Sequence, residues 1–374
     1  MKIHVDARLL RGGGIGRYIR EITGGWLENS QVESVHFLGR PAELEPWLAE
    51  VDSRGISRLT PWSDGPYSPG AQLRWPGLRA GIRQGVLFFP HFDVPLGRLP
   101  VPVVVTIHDL IHFQMPGAFP AWKRRLGGML LNRAVARARR VITISQSTRS
   151  DLLARIPEVE DRLRVIPNGV TRSFLEPDPE RLRKKGLLLD RYRPYLLAVG
   201  ALKAHKNLPL ALEVLARIRG HHPELRLLVA APHDPEGKRV LLRQARERRV
   251  ADRVEVLGPL DDGDLQALYS GAEVLLFPSF YEGFGLPPLE AMALGTPVLA
   301  SDRSSVPEVV GDAAPCLDPT DPEAWVAPLR DLLETEGRRA EWSARGRARA
   351  REFSWERAAQ ETLGVLQEAA EVNP

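Results

Sequence analysis

Short apolar runs alternate with longer amphipathic stretches along this chain, and the whole pattern occurs twice. The first set of runs is KIHVDA (2–7), SVHFLG (34–39), VLFFP (86–90), VPVVVTIHD (101–109), RVITIS (140–145) and RVIPN (164–168). The second is YLLAVG (195–200), LRLLVAA (225–231), VEVLG (254–258), VLLFPS (274–279), TPVLAS (296–301) and APCLD (314–318). Such runs between helical stretches predict buried strands of parallel sheets with helices on both faces, an α/β fold class. With 374 residues the chain is too long for one core and suits two domains of about 150–190 residues each. The polar, proline-bearing stretch GVTRSFLEPDPERLRKKG (169–186) predicts the seam, with domains over 1–175 and 176–353. Two such domains leave a cleft, and ligands of open parallel sheets bind at the carboxyl ends of strands.

Other classes are disfavoured early. The longest apolar runs fall far short of the ~20 residues a membrane-spanning helix needs. The opening MKIHVDARLL lacks the apolar run of a signal peptide, and the single cysteine, Cys316, has no partner for an internal disulfide. A cytoplasmic location is therefore expected. Residues 1–180 carry 24 Lys and Arg against 18 Asp and Glu. Much of that excess lies in AWKRRLGGMLLNRAVARARR (121–140), where Lys123, Arg124, Arg125, Arg133, Arg137, Arg139 and Arg140 meet no acidic residue. They predict a cationic helix surface, serving either as a solvated face or as a contact for anionic lipid at the inner face of a membrane or an acidic acceptor. No motif for nucleic acid accompanies the charge, so nucleic acid is not an expected partner.

The chemistry is sought where strands end. After the first strand, RGGGIGRY offers Gly12, Gly13, Gly14 and Gly16 before a helix, either as a plain turn or as backbone that approaches a ligand closely. A dinucleotide fingerprint starting at Gly12 would need glycine where Arg17 stands, which argues against an NAD-dependent dehydrogenase. His108 and Asp109 close the fourth run, as a structural pair or as groups facing the cleft. In YLLAVGALKAHKNL, Gly200 is followed by Lys203, His205 and Lys206 just before a helix, a surface feature or a phosphate site. Asp262-Gly263-Asp264 has the spacing of a metal-binding pair, but it opens a helix and reads as an N-cap. Neither a metal nor another cofactor is expected.

The most informative stretch is SFYEGFGLPPLEAMALGTPVLASD (279–302). Glu282 falls on a loop after a buried strand, and the helix is expected to begin near Leu286, where Pro287 and Pro288 are tolerated. Gly295 ends that helix, so Glu290 lies about one turn inside. Between the glutamates, Gly283, Phe284 and Gly285 present amides at a helix start, a cradle for phosphate flanked by two hydroxyl-accepting carboxylates. Phosphate between two polyols describes a sugar nucleotide.

On these residues the chain resembles the retaining glycosyltransferases of family 4, with the GT-B architecture of two facing Rossmann-like domains and an inter-domain cleft. GGGIGRY, TIHDL, VITIS, VIPNGV, AVGALKAHKNL, the run from VLGPL to VVGDAA, and FSWERAA extend the resemblance from residue 12 to about 360. It implies that Glu282 holds donor-sugar hydroxyls and Glu290 the ribose, with Phe284, Gly285 and Leu286 amides at the sugar and diphosphate. Lys206 corresponds to a phosphate-binding lysine, His108 to a histidine meeting the donor sugar, and Gly14 and Gly16 to a loop approaching the diphosphate. The catalytic residues it implies are His108, Lys206 and Glu282, and a final helix, about 354–372, is expected to pack back on the first domain. Many relatives carry arginine where this chain has Ala201, and Lys203, His205 and Arg17 are the candidates to compensate.

The resemblance implies transfer of a hexose from a nucleotide-diphosphate sugar to an acceptor hydroxyl with retention. It leans to mannose and a GDP-sugar, with a UDP-sugar next, as in the mannosyltransferase-like branch. The acceptor is a saccharide, a lipid-linked group or a small molecule. Two alternatives use the same cleft: a sugar phosphorylase or hydrolysing epimerase, and a non-enzymatic nucleotide-binding module.

Overall fold

In the computed structural model, which describes residues 1–11 and 13–371, the chain forms two compact units, each around its own parallel sheet. One unit comprises Met1–Gly169 with Ser354–Pro374, the other Val170–Phe353. Gly12 and residue 372, at the end of the expected terminal helix, lie outside the described residues.

The first sheet contains β1 (Lys2–Asp6), β2 (Ser34–Gly39), β3 (Ser57–Pro61), β4 (Val86–Phe89), β5 (Val103–Ile107), β6 (Arg140–Thr143) and β7 (Leu163–Val165). Its order, β3-β2-β1-β4-β5-β6-β7, reverses direction between β1 and β4. Apolar runs such as VVVTI are buried throughout, as strands covered on both faces must be. β3 is not among the expected strands. Its SRLTP sequence has no apolar run because it is an edge strand, paired only to β2, and Pro61 is tolerated there.

The helix Trp355–Glu371 packs on the helix Gly13–Glu28, where Trp26 Nε1 donates to Ala359 O at 2.9 Å. On the other side of the sheet, the helix Ala121–Arg137 buries Gly128, Leu130, Leu131, Ala134 and Val135. Its opposite face leaves Trp122 62%, Leu126 40% and Met129 57% exposed, one helical stripe at i, i+4 and i+7. The expectation of seven cations on one helix surface is corrected here. The helix ends at Arg137, which reaches back to Pro95 O at 3.0 Å, and Arg140 lies in β6 with its Nε 3.0 Å from Glu368 Oε2. Lys123 and Arg125 remain exposed beside Trp122 and Leu126.

The second sheet has the order β10-β9-β8-β11-β12-β13, built from β8 (Tyr195–Val199), β9 (Arg226–Ala230), β10 (Val254–Leu257), β11 (Val274–Phe277), β12 (Val298–Ser301) and β13 (Cys316–Leu317). All six were legible as apolar runs. Here the direction reverses between β8 and β11, which sets the loops after those two strands side by side at the switch point. The sheet packs against the helices Leu208–Ile218 and Pro322–Glu334 through Leu212, Leu215, Trp325 and Leu329, all fully buried.

Candidate active site

In the second unit, β8 ends at Val199 and Gly200 follows with φ +145, a conformation that favours glycine. A Cβ there would meet Lys206 Cε at 3.3 Å, so Gly200 also makes room for the lysine stem. The chain then makes a short turn, Ala204–Lys206, and Asn207 in the left-handed region opens the helix Leu208–Ile218. Asn207 Nδ2 donates to Pro319 O at 2.7 Å, which fixes that turn from below.

The loop after β11 lies against this turn, with Phe280 N donating to His205 O at 2.7 Å. Glu282, on that loop, accepts from Lys206 Nζ at both carboxylate oxygens, at 2.6 and 2.9 Å. The pair is mostly buried, with the side chains 16% and 12% exposed. Gly285 is the N-cap of the helix Leu286–Leu294 at φ +126, and Gly295 closes it at φ +82. The first intrahelical bond runs from Leu289 N to Gly285 O, so the amides of Phe284, Gly285 and Leu286 stand before the ladder begins. Phe284 turns its ring inward, 4% exposed and 5.8 Å from the Phe353 ring, so it offers a ligand its backbone alone.

One turn into that helix Glu290 is only 4% exposed, and its Oε2 accepts from Tyr269 OH at 3.0 Å. Two carboxylates therefore flank a helix N-terminus, one ion-paired on the loop and one sunk beside a tyrosine. Three supporting residues escaped the sequence reading. Ser305 Oγ donates to Glu282 O at 2.9 Å and to Phe284 O at 2.7 Å, Ser304 Oγ accepts from Glu282 N at 2.8 Å, and Tyr269 orients Glu290. Two serines before Val-Pro and a tyrosine inside a helix carry no local signal for those contacts.

Of the candidates to replace a cation at Ala201, two stand at this turn, Lys203 and His205. Lys203 Nζ turns to Asp234 Oδ2 at 3.1 Å, and burial, followed by the charge of Lys206, lowers the pKa of His205 and favours its neutral form. Arg17 belongs to the other unit. The metal-like Asp262-Gly263-Asp264 also needs a correction. The N-cap is Asp261, whose carboxylate accepts from Asp264 N, while Asp262 and Asp264 occupy the first helical turn. Lys185 Nζ bonds Asp261 at 2.8 Å and Asp264 at 2.5 Å.

In the first unit, His108 follows β5, and its Nε2 lies 2.8 Å from Pro90 O. A carbonyl only accepts, so Nε2 carries the proton and Nδ1 keeps its lone pair. Burial lowers the His108 pKa to about 4, and the Tyr18 ring stands edge-on at 4.8 Å. The side chain is thus a neutral imidazole whose Nδ1 can accept a hydrogen bond from a hydroxyl. The glycine segment differs from a free loop. The helix starts at Gly13, which puts Gly14 and Gly16 in its first turn. Gly14 is exposed, whereas Gly16 is buried where a Cβ would lie 2.3 Å from Leu10 O, so its missing side chain serves the packing of the turn before the helix.

Comparison with known proteins follows the same division. Residues 12–174 match the model described as Glycosyltransferase Family 4, and residues 180–349 the model described as Glycosyl transferases group 1. The O-antigen chain mannosyltransferase B of Escherichia coli is 31% identical over 74% of this chain and 72% of its own length. The MMP alpha-(1->4)-mannosyltransferase of Mycolicibacterium hassiacum is 31% identical over 88% of this chain and 81% of its own. Among solved structures, the Anabaena HepE protein in complex with UDP and glucose superposes with a TM-score of 0.76, covering 98% of this chain and 100% of that one at 17% identity.

Proposed function

The chain belongs to glycosyltransferase family 4 and is a glycosyltransferase of the two-domain, Rossmann-like GT-B fold, and within that family we propose that it moves a hexose from a nucleotide-diphosphate sugar to an acceptor hydroxyl with retention. The observation that carries this reading is the ion pair of Lys206 and Glu282 beside the amides that open the helix Leu286–Leu294. A cation and a helix N-terminus suit a diphosphate; the carboxylates of Glu282 and Glu290 suit the hydroxyls at its two ends. Mannose is the favoured sugar, supported by the two mannosyltransferase relatives, and GDP the favoured carrier with UDP next; the Anabaena neighbour holds UDP.

In this proposal Lys206 and the amides of Phe284, Gly285 and Leu286 stabilise the leaving diphosphate, which would be the largest catalytic contribution. The departing phosphate itself takes the acceptor proton on the front face, because no second carboxylate is assigned as nucleophile. Glu282 orients the sugar and Glu290 the ribose. His108, through Nδ1, accepts from a sugar hydroxyl, and Gly14 contributes its amide to the diphosphate. Gly16, by its packing, supports that turn. The proposed mechanism uses no metal or other cofactor.

The acceptor is a saccharide or a lipid-linked or small-molecule hydroxyl. A cytoplasmic location with peripheral contact to an anionic membrane belongs to the same proposal, supported by the stripe of Trp122, Leu126 and Met129 beside Lys123 and Arg125. Among the described residues no helix is long and apolar enough to cross a membrane.

A thermal-shift panel of GDP, UDP and ADP tests the donor reading. A diphosphate at 100 times its dissociation constant adds about 2.7 kcal/mol of stability. Absence of any shift at millimolar concentrations of all three would sink the reading.

A further inference from the structure

The first unit holds a buried charge cluster that the donor reading does not use. Asp6 ends β1, Arg8 follows it, and His91 and Asp93 follow β4, so all four gather where the sheet order reverses. They are at most 2% exposed. Arg8 Nη2 bonds Asp6 Oδ2 at 2.6 Å and Asp93 Oδ2 at 3.0 Å, its guanidinium lies 3.7 Å over the Trp62 ring, and His91 Nε2 stands 3.1 Å from Asp6 Oδ2. Burying such a cluster carries a desolvation cost that is offset only where its geometry is good and its remaining polar groups are hydrogen-bonded.

What it holds is Tyr67. The second lone pair direction of Asp93 Oδ2 accepts from Tyr67 N at 2.7 Å, and Tyr67 sits at φ +60. A bulky residue in the left-handed region is strained and persists only where its surroundings enforce it. Yet the side chain so held is 46% exposed. One side of its ring leans on Phe92, centroids 5.7 Å apart, with His91 at 6.4 Å. Burial and the negative charges of Asp93 and Asp109 raise the pKa of its hydroxyl, which places Tyr67 within electrostatic reach of the residue after His108.

We propose that Tyr67, locked in place by Asp93 and Arg8 and backed by Phe92, is a stacking platform for a pyranose ring of the acceptor. An aromatic face with a polar tip matches a sugar, whose axial C–H groups form an apolar face rimmed by hydroxyls. A linear lipid or a small charged acceptor gains little from a flat ring. This rests on the glycosyl-transfer reading and assigns the acceptor to the saccharide class.

The test uses the full chain and four probes: methyl α-mannopyranoside, methyl α-glucopyranoside, and the α-1,2- and α-1,3-linked mannobioses. Saturation-transfer difference NMR reads their binding to wild type, Tyr67→Phe, Tyr67→Ala and Tyr67→Gly. Wild type and Tyr67→Phe are expected to bind at least one probe with similar affinity, while Tyr67→Ala and Tyr67→Gly lose about tenfold or more. Tyr67→Gly is expected to melt no lower than wild type, since glycine adopts φ +60 without strain. No binding of any probe by wild type overturns the proposal, as does a Tyr67→Gly protein that binds saccharide normally. Nucleoside diphosphate titrations on the same samples separate the two readings. Saccharide binding without diphosphate binding keeps the platform and refutes the donor site; diphosphate binding with saccharide unaffected by Tyr67→Gly does the reverse.

Discussion

Lys206 and Glu282, 76 residues apart in the chain, form a bidentate ion pair, Nζ lying 2.6 and 2.9 Å from the two carboxylate oxygens. A diphosphate that takes Lys206 must compete with that carboxylate. Glu282→Gln should therefore bind the bare nucleoside diphosphate tighter, by roughly tenfold or about 1.4 kcal/mol, while transfer from the intact donor falls because the sugar loses its orientation. Calorimetric titration with the diphosphate decides; unchanged or weaker affinity means the pair opens without competition.

Glu290 and Tyr269 make a second coupled pair, bonded at 3.0 Å and both buried. Glu290→Ala is expected to weaken diphosphate and sugar nucleotide alike, by roughly 1–3 kcal/mol. Tyr269→Phe should show the same pattern at about 0.5–1.5 kcal/mol, because it removes one hydrogen bond that orients the carboxylate. An effect on the sugar nucleotide alone would relocate Glu290 to the sugar end.

Chelation is expected to leave turnover intact. Because Asp261 caps its helix and Asp262 and Asp264 fill the first turn, Asp261→Ala should cost about 1 kcal/mol in thermal or urea unfolding and spare activity. Loss of transfer in EDTA, restored by manganese or magnesium, would overturn the metal-free mechanism.

Acid should loosen the first unit before it touches the carboxylates. His36 and His108 have pKa values lowered to about 4, against 6.5 for a free histidine, with burial as the main cause of each shift. The unfolded chain then binds more protons between those values, so their contribution to stability is full above pH 6.5 and lost as pH falls toward 4. Burial opposes ionisation of Asp6, but Arg8 and then His91 overcome it and hold the carboxyl well below its usual range of about 3.8, adding a further loss only at lower pH. Melting temperature should decline between pH 6.5 and 4, and His36→Gln should flatten the slope. A level profile down to pH 4 contradicts this.

The exposed stripe makes a membrane prediction. Trp122→Ala with Arg125→Glu should reduce co-sedimentation with phosphatidylglycerol vesicles about fivefold or more and leave diphosphate affinity unchanged. Wild-type protein that ignores such vesicles at low salt ends the proposal.

What the sequence determined by itself is whatever depends on neighbours along the chain. Apolar runs such as VVVTI and VLLF specify strands buried on both faces, and Pro287, Pro288 and Gly295 bound the helix Leu286–Leu294, because φ restriction and glycine's freedom act within a few residues. Glu282 on the loop and Glu290 one turn inside were legible for that reason. β3 was not, since an edge strand takes its identity from β2 and has no apolar run of its own. Nor were the partners: Ser304 and Ser305 at the loop backbone, Tyr269 at Glu290, Lys206 at Glu282, or Arg8 between Asp6 and Asp93. Each contact joins segments that only the order of strands in a sheet brings together. A periodicity records which face of an element is buried and is silent about which side chain waits there, so the tertiary structure alone decided that the lysine of one strand end would be held by the glutamate of the next.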